Sequence, residues 1–190
     1  MRGARGRSPV TGEIRKARTV IGGAGVRYSF HMTLSIRPAT PSDIPLILKL
    51  IRELAEYEKL LDRVVATEAL LTQALFGSQR RAEVVIAVVD DQPAGMALFF
   101  HNFSTFAGRA GIYLEDLFVR PEFRSFGIGK ALLIHLAKTA VERQCGRFEW
   151  AVLDWNEAAI GFYKKLGAVA QDEWTGFRVE GAALNRLATM

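Results

Sequence analysis

Between Tyr113 and Gly129 the chain reads YLEDLFVRPEFRSFGIG, an apolar, β-branched and aromatic run stopped by Pro121 and followed by two glycines. Alternation over Tyr113–Val119 predicts a strand, with Leu114, Asp116 and Phe118 on one face and Tyr113, Glu115, Leu117 and Val119 on the other. From Gly127 to Gln144 the apolar residues fall at helical spacing, Leu132, Leu133, Leu136, Ala137, Ala140 and Val141, with Gly146 as terminator. A strand that turns through glycines into a helix presents free N–H groups and a positive dipole end at the turn, which suits a phosphate or pyrophosphate. Two familiar phosphate loops do not fit. Gly129-Lys130 is followed by Ala131 and position 124 is Arg, so there is no Walker loop, and position 132 is Leu where a dinucleotide fingerprint needs Gly.

The rest of the chain sets this segment in a mixed α/β pattern. Leu34–Arg37 alternates as a short strand. Thr40-Pro41-Ser42-Asp43 has a helix N-cap, a proline at the first helical position and a carboxylate placed to reach back. Ile44, Ile47, Leu48, Ile51, Leu54 and Ala55 continue that helix, and a second is expected over about 67–76, ended by Gly77-Ser78. Val84–Val89 and Ala94–Phe100 read as a hairpin joined by Asp90-Asp91-Gln92-Pro93. Phe148–Leu153 reads as a strand and Asn156–Leu166 as a helix closed by Gly167. Two short strand-like pieces, around Val169 and over 177–179, complete the chain. Hairpins followed by a strand, helix, strand unit predict an α/β sheet.

Charge separates the chain into two parts. The formal net charge is +5, yet residues 1–32 hold Arg2, Arg5, Arg7, Arg15, Lys16, Arg18 and Arg27 against Glu13 alone. The remainder has 18 basic and 19 acidic residues, so the patterned domain lacks the basic excess expected of a nucleic-acid binder. Residues 1–31 contain six glycines and little periodicity. They are expected to be a disordered basic extension, added to or mis-started before a single domain of residues 32–190 that opens at Met32. No apolar run approaches the roughly 18–20 residues of a membrane span. With one cysteine, Cys145, there is neither an intramolecular disulfide nor a multi-cysteine metal site, and His31, His101 and His135 lack ligand spacing, so no metal is expected. A cytoplasmic protein without membrane or nucleic-acid partners is the simplest expectation.

LEDLFVRPEFRSFGIGKALL resembles motif A of the GNAT superfamily of acetyl-CoA-dependent N-acyltransferases, whose Arg/Gln-x-x-Gly-x-Gly/Ala turn matches Arg124, Gly127 and Gly129. WNEAAIGFYKKLGA (155–168) is similar to the superfamily's following unit, with a tyrosine in the expected place. IRELAEYEKLLDRV (51–64), GIYLEDLFV (111–119) and AVLDWNEAAIGFYKKLGA (151–168) resemble the diamine acetyltransferase group, which includes spermidine/spermine and thialysine N-acetyltransferases. The resemblance runs from about Leu34 to Ala188. It implies a mixed, mostly antiparallel central sheet flanked by helices and splayed between its fourth and fifth strands to hold acetyl-CoA. The main chain of Leu117, Phe118 and Val119 would hold the pantetheine arm. Ser125, Phe126, Gly127, Ile128, Gly129 and Lys130 would hold the pyrophosphate, with Arg124 beside it, and Asn156, Glu157, Ala158 and Ala159 would touch the cofactor from the next unit. Relatives often carry glycine where Ser125 stands; a serine can still donate through its backbone.

Acetyl transfer to an amine needs a proton acceptor. An alkylammonium with a pKa near 10.4 costs about 4 to 5 kcal/mol to deprotonate at pH 7, and a carboxylate, or water held by one, can take that proton. Glu115 matches the relatives' acid for this role, and Tyr163 matches the tyrosine that donates to the departing thiolate. No covalent enzyme intermediate is needed, so Cys145 has no assigned role. Tyr57, Glu58, Glu115, Asp116 and Trp150 would surround the amine, Asp116 binding or anchoring rather than catalysing. Glu53 and Glu56 could add attraction for a cation, or could be a solvated helix face. Polyamine-preferring relatives tend to carry an acid near 103–106, where this chain has Ser104, which favours a shorter diamine or a lysine- or thialysine-like amino acid over spermidine. The expected activity is direct acetyl transfer to a primary amine by a homodimer. Protein lysine or N-terminal acetylation, and a non-catalytic CoA-binding regulatory module, are the alternatives.

Overall fold

The computed structural model describes residues 10–19 and 27–190, and the chain divides into two compact units, Met1–Ala151 and Val152–Met190. In the first, six strands form one sheet in sequence order: β1 (Val10–Thr19), β2 (Arg27–Pro38), β3 (Glu83–Val89), β4 (Gln92–Ser104), β5 (Arg109–Val119) and β6 (Phe148–Trp150). Every neighbouring pair is antiparallel except β5 with β6, which is parallel. The helices are α1 (Ile44–Tyr57), α2 (Glu68–Phe76) and α3 (Ile128–Glu142). This is the mixed, mostly antiparallel sheet with flanking helices that the resemblance implies.

The pleat distributes the core. Val84, Ile86, Met96 and Phe118 point to one face, where Ile44, Ile47 and Leu50 of α1 and Leu75 of α2 close over them. Val85, Ala87, Ala97, Phe99 and Ile112 point to the other, and α3 packs there with Leu132, Leu133 and Leu136 buried. Each such aliphatic side chain withdrawn from water contributes about 1.5–3 kcal/mol, which is why both helix stripes are legible in the sequence.

Helix α1 begins as its residues dictate. Pro41–Asp43 forms a 3-10 turn capped by Thr40, and the Asp43 carboxylate accepts from the Thr40 N–H at 2.7 Å and from the Thr40 hydroxyl at 2.8 Å. Arg37 closes the other side with two bonds to Asp43, 2.8 and 2.7 Å. The α2 start is capped by the Thr67 hydroxyl, which accepts from the Leu70 N–H.

Two expectations need correction. Residues 10–19 and 27–31, expected to belong to a disordered extension, are strand, paired in register from Val10↔Ile36 to Thr19↔Arg27; residues 1–9 and 20–26 of that extension lie outside the described residues. The overlooked signal is the alternation Tyr28, Phe30, Met32, Leu34, Ile36, which starts well before Leu34. In the second unit, α4 (Glu157–Lys165) follows the prediction, whereas the pieces around Val169 and over 177–179 are not strands. Val169 is 79% and Phe177 94% exposed, so among the described residues neither side chain is buried against a neighbouring strand. The chain finishes instead in α5 (Gly181–Leu187), rich in Ala and Leu.

Candidate active site

The pairing of β5 with β6 covers three positions and stops at Leu114↔Trp150. Beyond it, among the described residues, Glu115–Val119 pairs only with β4, so one edge of backbone groups is left open. The sheet therefore opens where expected, between strands that count as fifth and sixth because β1 precedes them.

Glu115 is the extra residue of a β-bulge. Leu98 opposes Asp116 while Phe99 opposes Leu114, leaving Glu115 without an opposite number. A bulge re-aims the side chains that follow it. Here it overturns the predicted facing: Leu114 lies on the α3 face with Phe99, whereas Asp116 and Phe118 lie on the α1 face with Leu98 and Met96. Simple alternation cannot reveal this, because the extra residue resets the period.

The displaced Asp116 faces other acids. Burial, then the charges of Glu115 and Glu58, raise its carboxyl pKa to about 6. Glu58, at the C-cap of α1, is itself pushed up by burial. Glu115 is exposed. Glu115 and Glu58 thus both act on the Asp116 carboxyl near the end of α1, an arrangement that a cation would relieve. Glu53 does not join them. Both its oxygens accept from Arg120, at 2.8 and 2.9 Å, and Arg120 also donates to Pro93 O at 2.9 Å. Glu56 is exposed on the same helix.

The glycine turn follows directly. Arg120 N–H donates to Ala94 O, Pro121–Phe123 forms a 3-10 turn, and Ser125 and Gly127 take left-handed φ of 66° and 79°. Gly127 is the N-cap of α3, and no side chain caps that helix. Its first bond is Ala131 N–H to Gly127 O, so the N–H groups of Ile128, Gly129 and Lys130 stand ahead of the helical ladder. Nothing lies within 4 Å of a Cβ built on Gly127, so its backbone angle rather than crowding favours glycine. Arg124 Nε donates to Val119 O at 2.9 Å, and its guanidinium sits over the Tyr57 ring at 4.5 Å. The structure thus joins Tyr57 and Arg124, two residues the sequence assigns to different ligands. Trp150 ends β6 opposite Leu114, its ring 4.9 Å from that of Phe148.

The second unit carries the remaining expected residues. Asn156 caps α4, accepting from the Ala159 N–H at 3.2 Å, with Glu157 in the first turn and Ala158 after it. Tyr163 lies on the same helix, its ring 5.4 Å from that of Phe162.

A strand opening at a bulge, an aspartate faced by two other acids and an uncapped glycine-led helix thus follow one another along the chain. Residues 49–168 match the acetyltransferase (GNAT) family. The chain belongs to the GNAT acetyltransferase family. Among relatives of this acetyltransferase, a thialysine N-epsilon-acetyltransferase from Sus scrofa is 40% identical over 164 residues, covering 80% of this chain and 96% of its own. An L-ornithine N5-acetyltransferase from Arabidopsis thaliana is 34% identical over 202 residues, covering 83% and 89%. An integron cassette protein from the mobile metagenome of V. cholerae superposes with a TM-score of 0.71 at 30% identity, covering 83% of this chain and 98% of that one. This GNAT protein is therefore an acyltransferase, and acetyl-CoA is the family's acyl donor. Among its described residues no helix is long and apolar enough to cross a membrane, and no cluster of three potential metal ligands occurs.

Proposed function

We propose that this acetyltransferase moves an acetyl group from acetyl-CoA directly to a primary amine of a small cationic substrate, a short diamine or a lysine-, ornithine- or thialysine-like amino acid. The observation that carries the reading is the bulge that sets Asp116 against Glu115 and Glu58, because Asp116 and Glu58, partly withdrawn from water beside the exposed Glu115, are suited to an ammonium. The names of the relatives support the same class. Ser104, in place of an acid, argues against a long polyamine. Since the family match spans both compact units, the two are taken as one catalytic domain, acting in the cytoplasm and, by resemblance, as a homodimer. Light scattering of the full chain should return twice its mass.

The residues present fit the donor. The open edge of Leu117–Val119, the uncapped α3 start and the Arg124 guanidinium offer N–H donors in sequence. Asn156–Ala159 would add contacts by resemblance. When bound, acetyl-CoA supplies the activated acyl carbon.

Asp116 and Glu58 hold the ammonium. Glu115, exposed at the bulge, accepts its proton directly or through water and passes it to solvent. Backbone N–H groups of the Leu117 stretch stabilise the developing oxyanion. By resemblance, Tyr163 would donate to the departing thiolate, whose thiol pKa is near 8.5.

Thiol release measured with thialysine, lysine, ornithine, putrescine, spermidine and a lysine peptide tests the reading. We expect turnover with the small amines to exceed that with spermidine and the peptide. Glu115→Gln should lower kcat roughly 10²–10⁴-fold. Turnover of the peptide alone, or unchanged kcat in Glu115→Gln, would reject the proposal.

A further inference from the structure

Tyr57 and Arg124 come from distant parts of the chain, the last turn of α1 and the turn before α3, yet one sits over the other at 4.5 Å. The guanidinium is also 5.8 Å from the centre of the Phe118 ring. Its Nε donates to Val119 O, and among the described residues its two Nη groups donate to no acceptor. A guanidinium held by Nε and by aromatic rings, with both Nη groups unspent, is a fork set in advance for an anion. A solvated arginine would have to give up its rotamer freedom on binding, and a stacked one has already done so.

We infer that Tyr57 is a positioning residue for the acyl donor: its ring holds the Arg124 fork in place for the donor's diphosphate, and the stacked pair couples the donor and amine sites. The inference rests on the acetyl-CoA reading above. The coupling follows from the chain itself. Tyr57 adjoins Glu58, whose carboxylate acts on Asp116. One helix end therefore supports the anion fork with its ring and faces the amine site with its acid. Ordering that helix end for one ligand would then favour the other, with a reciprocal gain in affinity. A tyrosine that served only to contact the amine would leave CoA affinity unchanged when no amine is present, whereas the stack acts on CoA binding itself.

Calorimetric titration of CoA into the full chain without amine separates these roles. Tyr57→Leu should raise the CoA Kd roughly 3- to 10-fold, and Tyr57→Phe should keep it within about twofold of wild type. In steady-state assays the Tyr57→Leu deficit in kcat/KM should appear with acetyl-CoA and disappear with S-acetylpantetheine, which carries no diphosphate. A Tyr57→Leu Kd equal to wild type, or an equal deficit with both donors, would overturn the inference. A wild-type chain that does not bind CoA overturns the acetyl-CoA reading itself, and this inference with it.

Discussion

Asp43 and Asp116 are the same residue type, both withdrawn from water, and they titrate in opposite directions. Asp43 sits where α1 begins, bonded by Arg37 and by the Thr40 N–H and hydroxyl, and its carboxyl falls to about 2. Asp116 sits where α1 ends, faced by Glu115 and Glu58, and its carboxyl rises to about 6. The helix starts repeat the contrast: α1 opens on a filled capping box, α3 on a bare glycine turn. What is closed by the chain's own donors holds the fold together. What is left open is available to a ligand.

The largest test of this contrast is at the closed end. Asp43→Ala removes the cap and strands Arg37, and should lower unfolding stability by about 3 kcal/mol in urea titrations at neutral pH. Because the folded carboxyl titrates below its unfolded value, its contribution is full above about pH 4 and is lost as pH falls towards 2, so wild type and variant should converge there. A constant gap across that window would show that the ion pair is not what Asp43 contributes.

At the open end the sign reverses. The folded carboxyl of Asp116 titrates above its unfolded value, so ionisation costs stability, and that cost grows as pH rises from about 4 through 6. Asp116→Asn should therefore be more stable than wild type at pH 7, by on the order of 2 kcal/mol, while amine turnover falls. Equal stability at both ends of that pH range would remove Asp116 from the contrast.

Smaller effects are expected at the glycine turn. Gly129→Glu places a carboxylate in the first turn of α3, where a Cβ meets only Val119 Cγ2 at 3.9 Å. It should leave Tm unchanged or slightly raised through the helix dipole, yet weaken CoA binding roughly tenfold by repelling the diphosphate. Ser125→Gly should relieve the left-handed φ of 66° and raise stability by about 0.5 kcal/mol after the added freedom of the unfolded chain is allowed for. Differential scanning calorimetry would register the shift, and a loss of stability would mean that the serine side chain has an unrecognised role.

Much of the fold was legible because its signals are local. The capping box at Thr40, the stripes of α1 and α3 and the run of β-branched residues in β3 each follow from neighbours in the sequence. The alternation from Tyr28 to Ile36 was equally present, and the basic glycine-rich surroundings obscured it. Of the site, the strand–turn–helix with Arg124, Gly127 and Gly129 could be read directly, and resemblance supplied the roles proposed for Glu115 and Tyr163. The facing of Asp116 could not be read, because one residue of bulge inverts everything beyond it. Nor could the engagement of Glu53 by Arg120, two residues 67 apart in the chain.

By itself, then, the sequence determined which residue types stand at the opening of β5 and the start of α3, since periodicity, caps and glycines act over a few residues. Only the tertiary structure decided which of the acids are neutralised and which stay unpaired, and which ring supports the arginine of the turn. Those outcomes depend on charges and faces brought together from distant segments, where a single bulge or ion pair changes the sign of the result.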